Sequence, residues 1–292
     1  MISFPESELV LNADGSVYHL HLRPEDVADT IIAVGDPDRV EKVSKYFDRI
    51  ELVRQKREFV THTGYIGKKR LSVISSGIGT DNVEIVMNEL DALVNVDLAT
   101  RTEKPTKTRL KIIRLGTSGC LQADVPVDSI LVSDYGIGLD GLNDFYVSNE
   151  TKEEESFCLE LQSALSLRMM PYAASASAIL HQHFEKELNA GWYQGITLTC
   201  PGFYAPQGRK LRFNTRVADF IARLQTFGFD GKRLTNFEME TAGYYLFGSI
   251  LGHEMLSISA ILANRVTQQF SKEPEKGVEK MIETVLERIA EL

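Results

Sequence analysis

The chain has 292 residues, of which 43% are hydrophobic and 25% are charged, and its formal net charge at pH 7 is −9. These proportions are ordinary for a globular protein and exclude a disordered or collagen-like chain. The negative charge argues against general affinity for nucleic acid, so local arginines would have to hold any phosphate-sized anion.

The length allows two domains, but no linker-like stretch occurs between Thr30 and Arg265. We therefore expect one domain over 1–292, with an N-terminal arm over 1–17 and a C-terminal helix over 276–292 packed on the body. No apolar run is long enough to span a bilayer, and the first eight residues are too polar for a signal peptide. We expect a cytoplasmic protein.

The first predicted strand, over 30–34, runs into a glycine and an arginine. It ends at Gly35, and apolar residues at helical spacing predict a helix over 38–47. Arg39 then lies in the first turn of that helix, where it is either an anion ligand or a surface arginine paired with a neighbouring carboxylate. A second strand, over 71–75, breaks at the glycine-containing segment 76–79 before another helix.

The segment 112–119, IIRLGTSG, indicates a strand end that opens onto an anion. Its glycines allow close backbone approach, and Arg114, Thr117 and Ser118 offer donors to phosphate or sugar oxygens. The alternative is an ordinary tight turn after a strand. The basic run 101–111 just before it has no aromatic residue, so we interpret it as a solvated loop rather than a nucleic-acid surface.

Further strands are predicted over 130–134, 196–200 and 256–263, with helices between them. This alternation indicates an α/β fold with a largely parallel or mixed central sheet. Open sheets of this class bind ligands beyond the carboxyl ends of their strands, where both glycine–arginine pairs are predicted to lie.

The loop 203–209, FYAPQGR, places a glutamine and an arginine two residues apart behind aromatic rings. The Gln207 amide offers an acceptor and donors, and Arg209 offers donors only, which together match a ring bearing carbonyl, N–H and carbonyl, such as uracil. Phe203 lies beside them in the sequence. The alternative is a turn with a solvent-facing arginine and core aromatics.

The segment 236–242, NFEMETA, places Glu238 and Glu240 on either side of Met239, just before an apolar helix over 244–250. Two carboxylates there can simply suit the helix dipole. The functional interpretation is a carboxylate that accepts hydrogen bonds from vicinal ribose hydroxyls, with Glu240 as the acceptor and the methionine covering the sugar.

The cysteines and histidines do not indicate a metal site. Cys120, Cys158 and Cys200 have no metal-like spacing, which fits reduced, buried thiols. His181 and His183 fit a polar helix face better than a ligand pair, so we assign them no role.

Six short motifs in order carry a resemblance to a known family: GDPDR at 35–39, REF at 57–59, SGIG at 76–79, RLGTSG at 114–119, QGR at 207–209 and EMETA at 238–242. Over about 18–265 the chain resembles the uridine phosphorylases of the nucleoside phosphorylase superfamily. The resemblance implies a single α/β domain around a mixed, partly barrel-like sheet. It also implies that phosphate attacks the anomeric carbon of uridine in pyrimidine salvage, giving uracil and ribose 1-phosphate without a cofactor or metal.

The resemblance also implies roles for individual residues. The implied phosphate ligands are Gly35, Arg39, Arg57, Arg114 and Thr117. The implied ribose ligands are His19, Thr117, Met239 and Glu240. The implied base ligands are Ser118, Gly119, Phe203, Gln207, Arg209 and Glu238. Among all of these, the expected catalytic residues are Arg114, Arg209 and Glu240.

Arg57 and His19 match family residues that reach in from a neighbouring subunit. We therefore expect a homo-oligomer built from dimers that share active sites, with dimer and hexamer both open. Bacterial relatives also use Glu58 and the adjacent helix start for a monovalent cation between subunits, but Asn82 at that helix start argues against such a site here. Gly208 replaces an acidic residue of many relatives, which predicts a more mobile base loop.

Other activities are possible on the same fold. Related purine nucleoside phosphorylases use an aspartate to protonate the base, whereas this chain has Ala263, Asn264 and Arg265 there. A nucleosidase would use water and would not need three arginines around an anion. A catalytically silent nucleoside-binding protein is the remaining alternative, and preference among uridine, deoxyuridine and thymidine is left open.

Overall fold

Strands and helices alternate along the chain in a computed structural model that describes residues 3–229 and 231–292. Within these residues the strands are β1 (Thr30–Val34), β2 (Arg49–Lys56), β3 (Phe59–Ile66), β4 (Lys69–Ser75), β5 (Val96–Asp97), β6 (Thr102–Glu103), β7 (Lys111–Cys120), β8 (Ile130–Gly138), β9 (Tyr172–Ser175), β10 (Tyr193–Thr199), β11 (Gly228–Phe229), β12 (Lys232–Glu238), β13 (Glu254–Asn264) and β14 (Gln269–Phe270). The α-helices are α1 (Pro37–Ser44), α2 (Thr80–Asn95), α3 (Lys152–Leu165), α4 (Ala178–His183), α5 (Glu185–Asn189), α6 (Phe220–Gln225), α7 (Thr241–Leu251) and α8 (Pro274–Ile289).

The main sheet is mixed and partly closed. Its strand order is β11-β12-β10-β8-β13-β7-β1-β4-β3-β2, and an antiparallel pairing between β12 and β7 closes five of these strands into a barrel. Strands β4, β1, β7 and β13 run parallel to one another. The predicted α/β fold with a mixed, partly barrel-like sheet is confirmed.

Strand β1 shows why the sheet is covered on both faces. All five of its residues are buried, as expected for a parallel strand between two layers of helices. Ile31 packs in the core that α2 and α7 cover, and Ile32 packs in the core that α1 and α8 cover. The apolar stripe of α8 lies wholly in this second core, so the C-terminal helix is fixed to the sheet.

Two local predictions are wrong. The glycines of segment 112–119 mark neither a strand end nor the alternative tight turn, because β7 continues through both of them to Cys120. The helix predicted over 38–47 ends at Ser44. In addition, the sequence analysis did not predict the antiparallel hairpin of β2 and β3.

The three cysteines are buried and unbridged, as predicted. Burial raises the pKa of all three thiols. Among the described residues, no helix combines the length and apolar character that crossing a membrane requires.

Candidate active site

A cavity of about 640 Å³ lies where the parallel strands β1, β4 and β7 approach their carboxyl ends. It brings together twelve of the fourteen residues that the sequence analysis assigned to a site. These are Gly35, Arg39, Arg114, Thr117, Ser118, Gly119, Phe203, Gln207, Arg209, Glu238, Met239 and Glu240. Residues separated by up to 205 positions therefore share one cavity.

The turn after β1 presents an arginine to the cavity. Asp36 caps α1 by accepting a hydrogen bond from the Asp38 amide at 3.0 Å, and Pro37 begins the helix. This cap fixes the first turn of α1, which carries the half-buried Arg39. Arg39 Nη1 donates to the Leu115 carbonyl at 3.2 Å. Burial lowers the pKa of Arg39 despite the nearby Asp36, and its guanidinium stays charged in the neutral range.

Arg114 is the most buried charged group of the site, with 2% exposure. Its Nη2 lies 2.6 Å from Glu240 Oε2 and 2.9 Å from Glu238 Oε2. Burial opposes its charge, but the two carboxylates outweigh burial and raise the pKa of Arg114. Gly116 leaves the necessary room, because a Cβ there would lie 2.0 Å from Arg114 Nη1.

The two glutamates of the 236–242 segment make different contacts. Glu238 accepts hydrogen bonds from the amides of Glu240 and Thr241 at the start of α7, and from the Thr199 hydroxyl. The helix-dipole interpretation thus describes its contacts. Glu240 accepts instead from the Gly79 amide at 2.8 Å, and of the two glutamates it lies closer to the Arg114 guanidinium that both contact. Burial, together with Glu238, raises the pKa of Glu240, since two carboxylates share one guanidinium.

The predicted base loop folds back on itself. Arg209 Nη1 donates to Gln207 Oε1 and to the Phe203 carbonyl, both at 2.6 Å, and its guanidinium lies 3.6 Å from the centre of the Phe203 ring. Gln207 is buried, which fixes its amide close to the cavity. Burial and then the charge of Arg265 lower the pKa of Arg209.

A further part of the cavity wall is formed by residues of β7 and β12. Gly119 allows the Phe237 ring to pack against the strand, because a Cβ at 119 would lie 2.8 Å from that ring. Asn236 Nδ2 donates to the Ser118 hydroxyl at 3.0 Å and so fixes it in the wall. Around Gly119 and Phe237 the wall is therefore apolar, and Ser118 and Thr117 add hydroxyls to it.

Arg57 and His19 do not line the cavity of their own chain. Arg57 is exposed in the turn between β2 and β3, with a φ of 56°. His19 lies between the N-terminal arm and β1, with its Nδ1 2.7 Å from Glu89 Oε1. The prediction that both serve a neighbouring subunit stays a prediction.

The comparisons with known proteins agree with one another. A sequence model of the phosphorylase superfamily matches residues 29–292. The chain belongs to this superfamily.

Individual members give the degree of similarity. The uridine phosphorylase of Thermococcus kodakarensis is 30% identical over 288 residues, covering 99% of this chain and 92% of that protein. The uridine phosphorylase of Escherichia coli is 27% identical, covering 87% and 88%. A crystal structure of a Trypanosoma brucei nucleoside phosphorylase, described as showing uridine phosphorylase activity, superposes with a TM-score of 0.89 at 28% identity and covers 97% and 100% of the two chains.

Phe237, Phe270 and Arg265 contribute to the cavity or to the base loop and were not assigned to a site from the sequence. Phe237 lies inside the NFEMETA segment, where the sequence predicted roles for Glu238, Met239 and Glu240. Phe270 comes from the short strand β14, which has no periodicity to reveal it. Arg265 was noted only for the absence of an acid, yet its Nη1 donates to the Gln207 carbonyl at 2.9 Å and supports the base loop.

The described residues contain no group of three or more histidine, cysteine or acidic side chains that could hold a metal ion. Glu58 and Asn82 meet at Gly77, where a Cβ would lie 2.6 Å from Asn82 Nδ2 and 2.9 Å from Glu58 Cγ. The expectation about a monovalent cation between subunits stays a prediction.

Proposed function

We propose that this chain catalyses the reversible phosphorolysis of uridine to uracil and ribose 1-phosphate. The observation that carries the proposal is one cavity that holds two arginines beside Glu240 and also holds the Gln207–Arg209 pair. The relatives named uridine phosphorylases support the same reaction.

For the phosphate we propose Gly35, Arg39, Arg114 and Thr117. The half-buried Arg39 and the buried Arg114 both line the cavity, which supports the assignment. Charged donors bind phosphate oxygens strongly and keep the nucleophile in position for attack. Because Arg114 is already paired with two carboxylates, Arg39 supplies the larger uncompensated charge in this chain.

For the ribose we propose Glu240, covered by Met239. Glu240 Oε1 is held by the Gly79 amide and Oε2 by Arg114, so the carboxylate is fixed in direction. Each carboxylate oxygen has a further lone pair, which can accept a hydrogen bond from a ribose hydroxyl.

For the base we propose Gln207 and Arg209, with Phe203, Ser118 and Gly119 around the ring. Gln207 Oε1 accepts from Arg209 and keeps capacity for the N–H of uracil, while its amide hydrogens can donate to a carbonyl. Glu238, which the sequence analysis also assigned to the base, is engaged by the start of α7, so we propose that it anchors the wall instead.

In the reaction, a phosphate oxygen forms a bond to C1′ of the ribose while the C1′–N1 bond breaks. The electron pair of that bond stays on uracil, so negative charge grows on the base as the sugar becomes positive. Arg209 donates to the base where this charge develops, and such a preorganised donor stabilises the transition state more than the substrate.

We also propose that the active unit is a homo-oligomer built from dimers, in which Arg57 and His19 complete the partner's site. Their position outside their own cavity supports this arrangement. The purine alternative is less favoured, because the Asn264 amide is used by the carbonyls of Gln122 and Val125 and no acid stands beside it at 263 or 265.

The test is uracil release from uridine by the purified protein, followed by ultraviolet absorbance with and without inorganic phosphate. We expect release that requires phosphate and yields ribose 1-phosphate. Phosphate-independent release would favour a nucleosidase. Absence of release, with turnover of inosine, would favour a purine enzyme.

A further inference from the structure

Glu89 on α2 fixes the segment that carries His19. Its Oε1 accepts a hydrogen bond from the His19 amide at 2.8 Å, and its Oε2 accepts one from the Leu20 amide, also at 2.8 Å. The same Oε1 lies 2.7 Å from His19 Nδ1. One carboxylate, 14% exposed, therefore holds both the backbone and the ring of His19.

These contacts select one form of the ring. A carboxylate only accepts hydrogen bonds, so Nδ1 of His19 carries the hydrogen and Nε2 is the acceptor in the neutral ring. Within residues 3–229 and 231–292, Nε2 has no hydrogen-bond partner. The rings of Tyr18 and Phe59 lie edge-to-face with the His19 ring, at 4.8 Å and 6.3 Å between centres.

We propose that Glu89 is a positioning residue for phosphorolysis. It aims His19 and sets its tautomer, so that Nε2 accepts a hydrogen bond from a hydroxyl of the ribose bound by the partner subunit. This inference rests on the proposed function, including the role of His19 across the interface.

The position of Glu89 on α2 links two parts of the ribose site. The helix begins just after Gly79, whose amide donates to Glu240 of the same chain. Ten residues later, about 15 Å along the helix, Glu89 holds the histidine that serves the partner. Helix α2 thus positions Glu240 in the site of its own chain and His19 for the site of the partner subunit.

The test compares Glu89→Gln, His19→Ala and the double variant by steady-state kinetics with uridine. Glutamine keeps the size of the side chain, but it has one acceptor oxygen where the carboxylate has two. It therefore loses the charge that holds the Nδ1 hydrogen and one of the two backbone contacts. We expect kcat/KM to fall about tenfold or more in Glu89→Gln, as for loss of a charge-assisted hydrogen bond. In the His19→Ala background the same change should alter kcat/KM less than about twofold.

Two further variants complete the design. Glu84 lies on the same helix, where its carboxylate accepts hydrogen bonds from Asn88 and Tyr146. Glu84→Gln should retain the kcat/KM of the unchanged enzyme. Glu89→Asp keeps the charge, so it should retain more activity than Glu89→Gln and show that a loss does not reflect misfolding. Thermal melting of every variant checks the fold.

The inference is overturned if Glu89→Gln has normal kinetics, if it loses as much activity in the His19→Ala background, or if His19→Ala itself is fully active. A failure of the proposed function is distinguishable, because the unchanged protein would then show no phosphate-dependent uracil release.

Discussion

Replacing Gly116 by alanine is expected to disable the site through Arg114. Gly116 lies inside β7, and a Cβ there would lie 2.0 Å from Arg114 Nη1 and 2.6 Å from its Cζ. The backbone at 116 is outside the left-handed region, so alanine adds no backbone strain. The methyl group must therefore displace the guanidinium from Glu238 and Glu240.

The expected loss of stability follows from the burial of Arg114, Glu238 and Glu240. Arg114 is 2% exposed, and its two partners are 5% and 6% exposed. Breaking a buried ion pair from one side costs about 3–5 kcal/mol, and we expect about 3 kcal/mol of stability to be lost because a displaced arginine keeps some contact. Loss of a preorganised group at the reacting centre lowers kcat by about a hundredfold to a thousandfold.

The assay measures kcat and KM for uridine and phosphate, together with the free energy of unfolding in urea. Gly277→Ala is the matched control, since a Cβ at 277 on α8 meets no atom closer than 3.5 Å, and this variant should be fully active. Normal kinetics and stability in Gly116→Ala would refute the view that Arg114 must hold both glutamates for activity.

Three other outcomes are expected. Arg209→Ala should lower kcat/KM for uridine about a hundredfold to a thousandfold. It should leave KM for phosphate within about twofold, because the Arg209 side chain contacts the base loop. A parallel rise in KM for phosphate would contradict this assignment. Cytidine should be poorer than uridine by about four powers of ten in kcat/KM, since its amino group would oppose Arg209, and comparable turnover would overturn the base assignment. Iodoacetamide at pH 8 should leave the thiols of the native protein unmodified, because they are buried and burial raises their pKa. In denaturant it should label all three cysteines, as detected by mass spectrometry. Rapid labelling of the native protein would show that the thiols are accessible.

Parts of the fold could be predicted from local pattern. Strand β1 was predicted at its observed bounds, because an apolar β-branched run buried on both faces leaves little ambiguity. The hairpin of β2 and β3 was missed, since β2 is exposed along most of its length and shows no alternation. The end of β7 was predicted wrongly because glycine usually marks a turn. Here Gly116 and Gly119 instead clear space for a guanidinium and a ring inside a strand.

The candidate site also contains features that the sequence predicted and features that it could not predict. Residues at strand ends were predicted as a group because parallel strands bring their carboxyl ends together. The sequence analysis chose Glu240 as the ribose acceptor, but the physical difference between Glu238 and Glu240 was not predictable, since it depends on which one meets the start of α7 and which one meets Gly79. Arg57 and His19 came only from the family resemblance, because no pattern within one chain indicates a residue that acts on another.

The cavity is assembled from two sources that differ in how freely they can change. Gly35, Arg114 and Thr117 come from β1 and β7 or the turn that follows, whereas Gln207 and Arg209 come from an irregular loop after β10. Substitution in a hydrogen-bonded strand disturbs its neighbours on both sides, while a loop tolerates replacement and changes in length. Descendants of such a scaffold can therefore exchange one nucleobase for another and keep the same handling of sugar and phosphate.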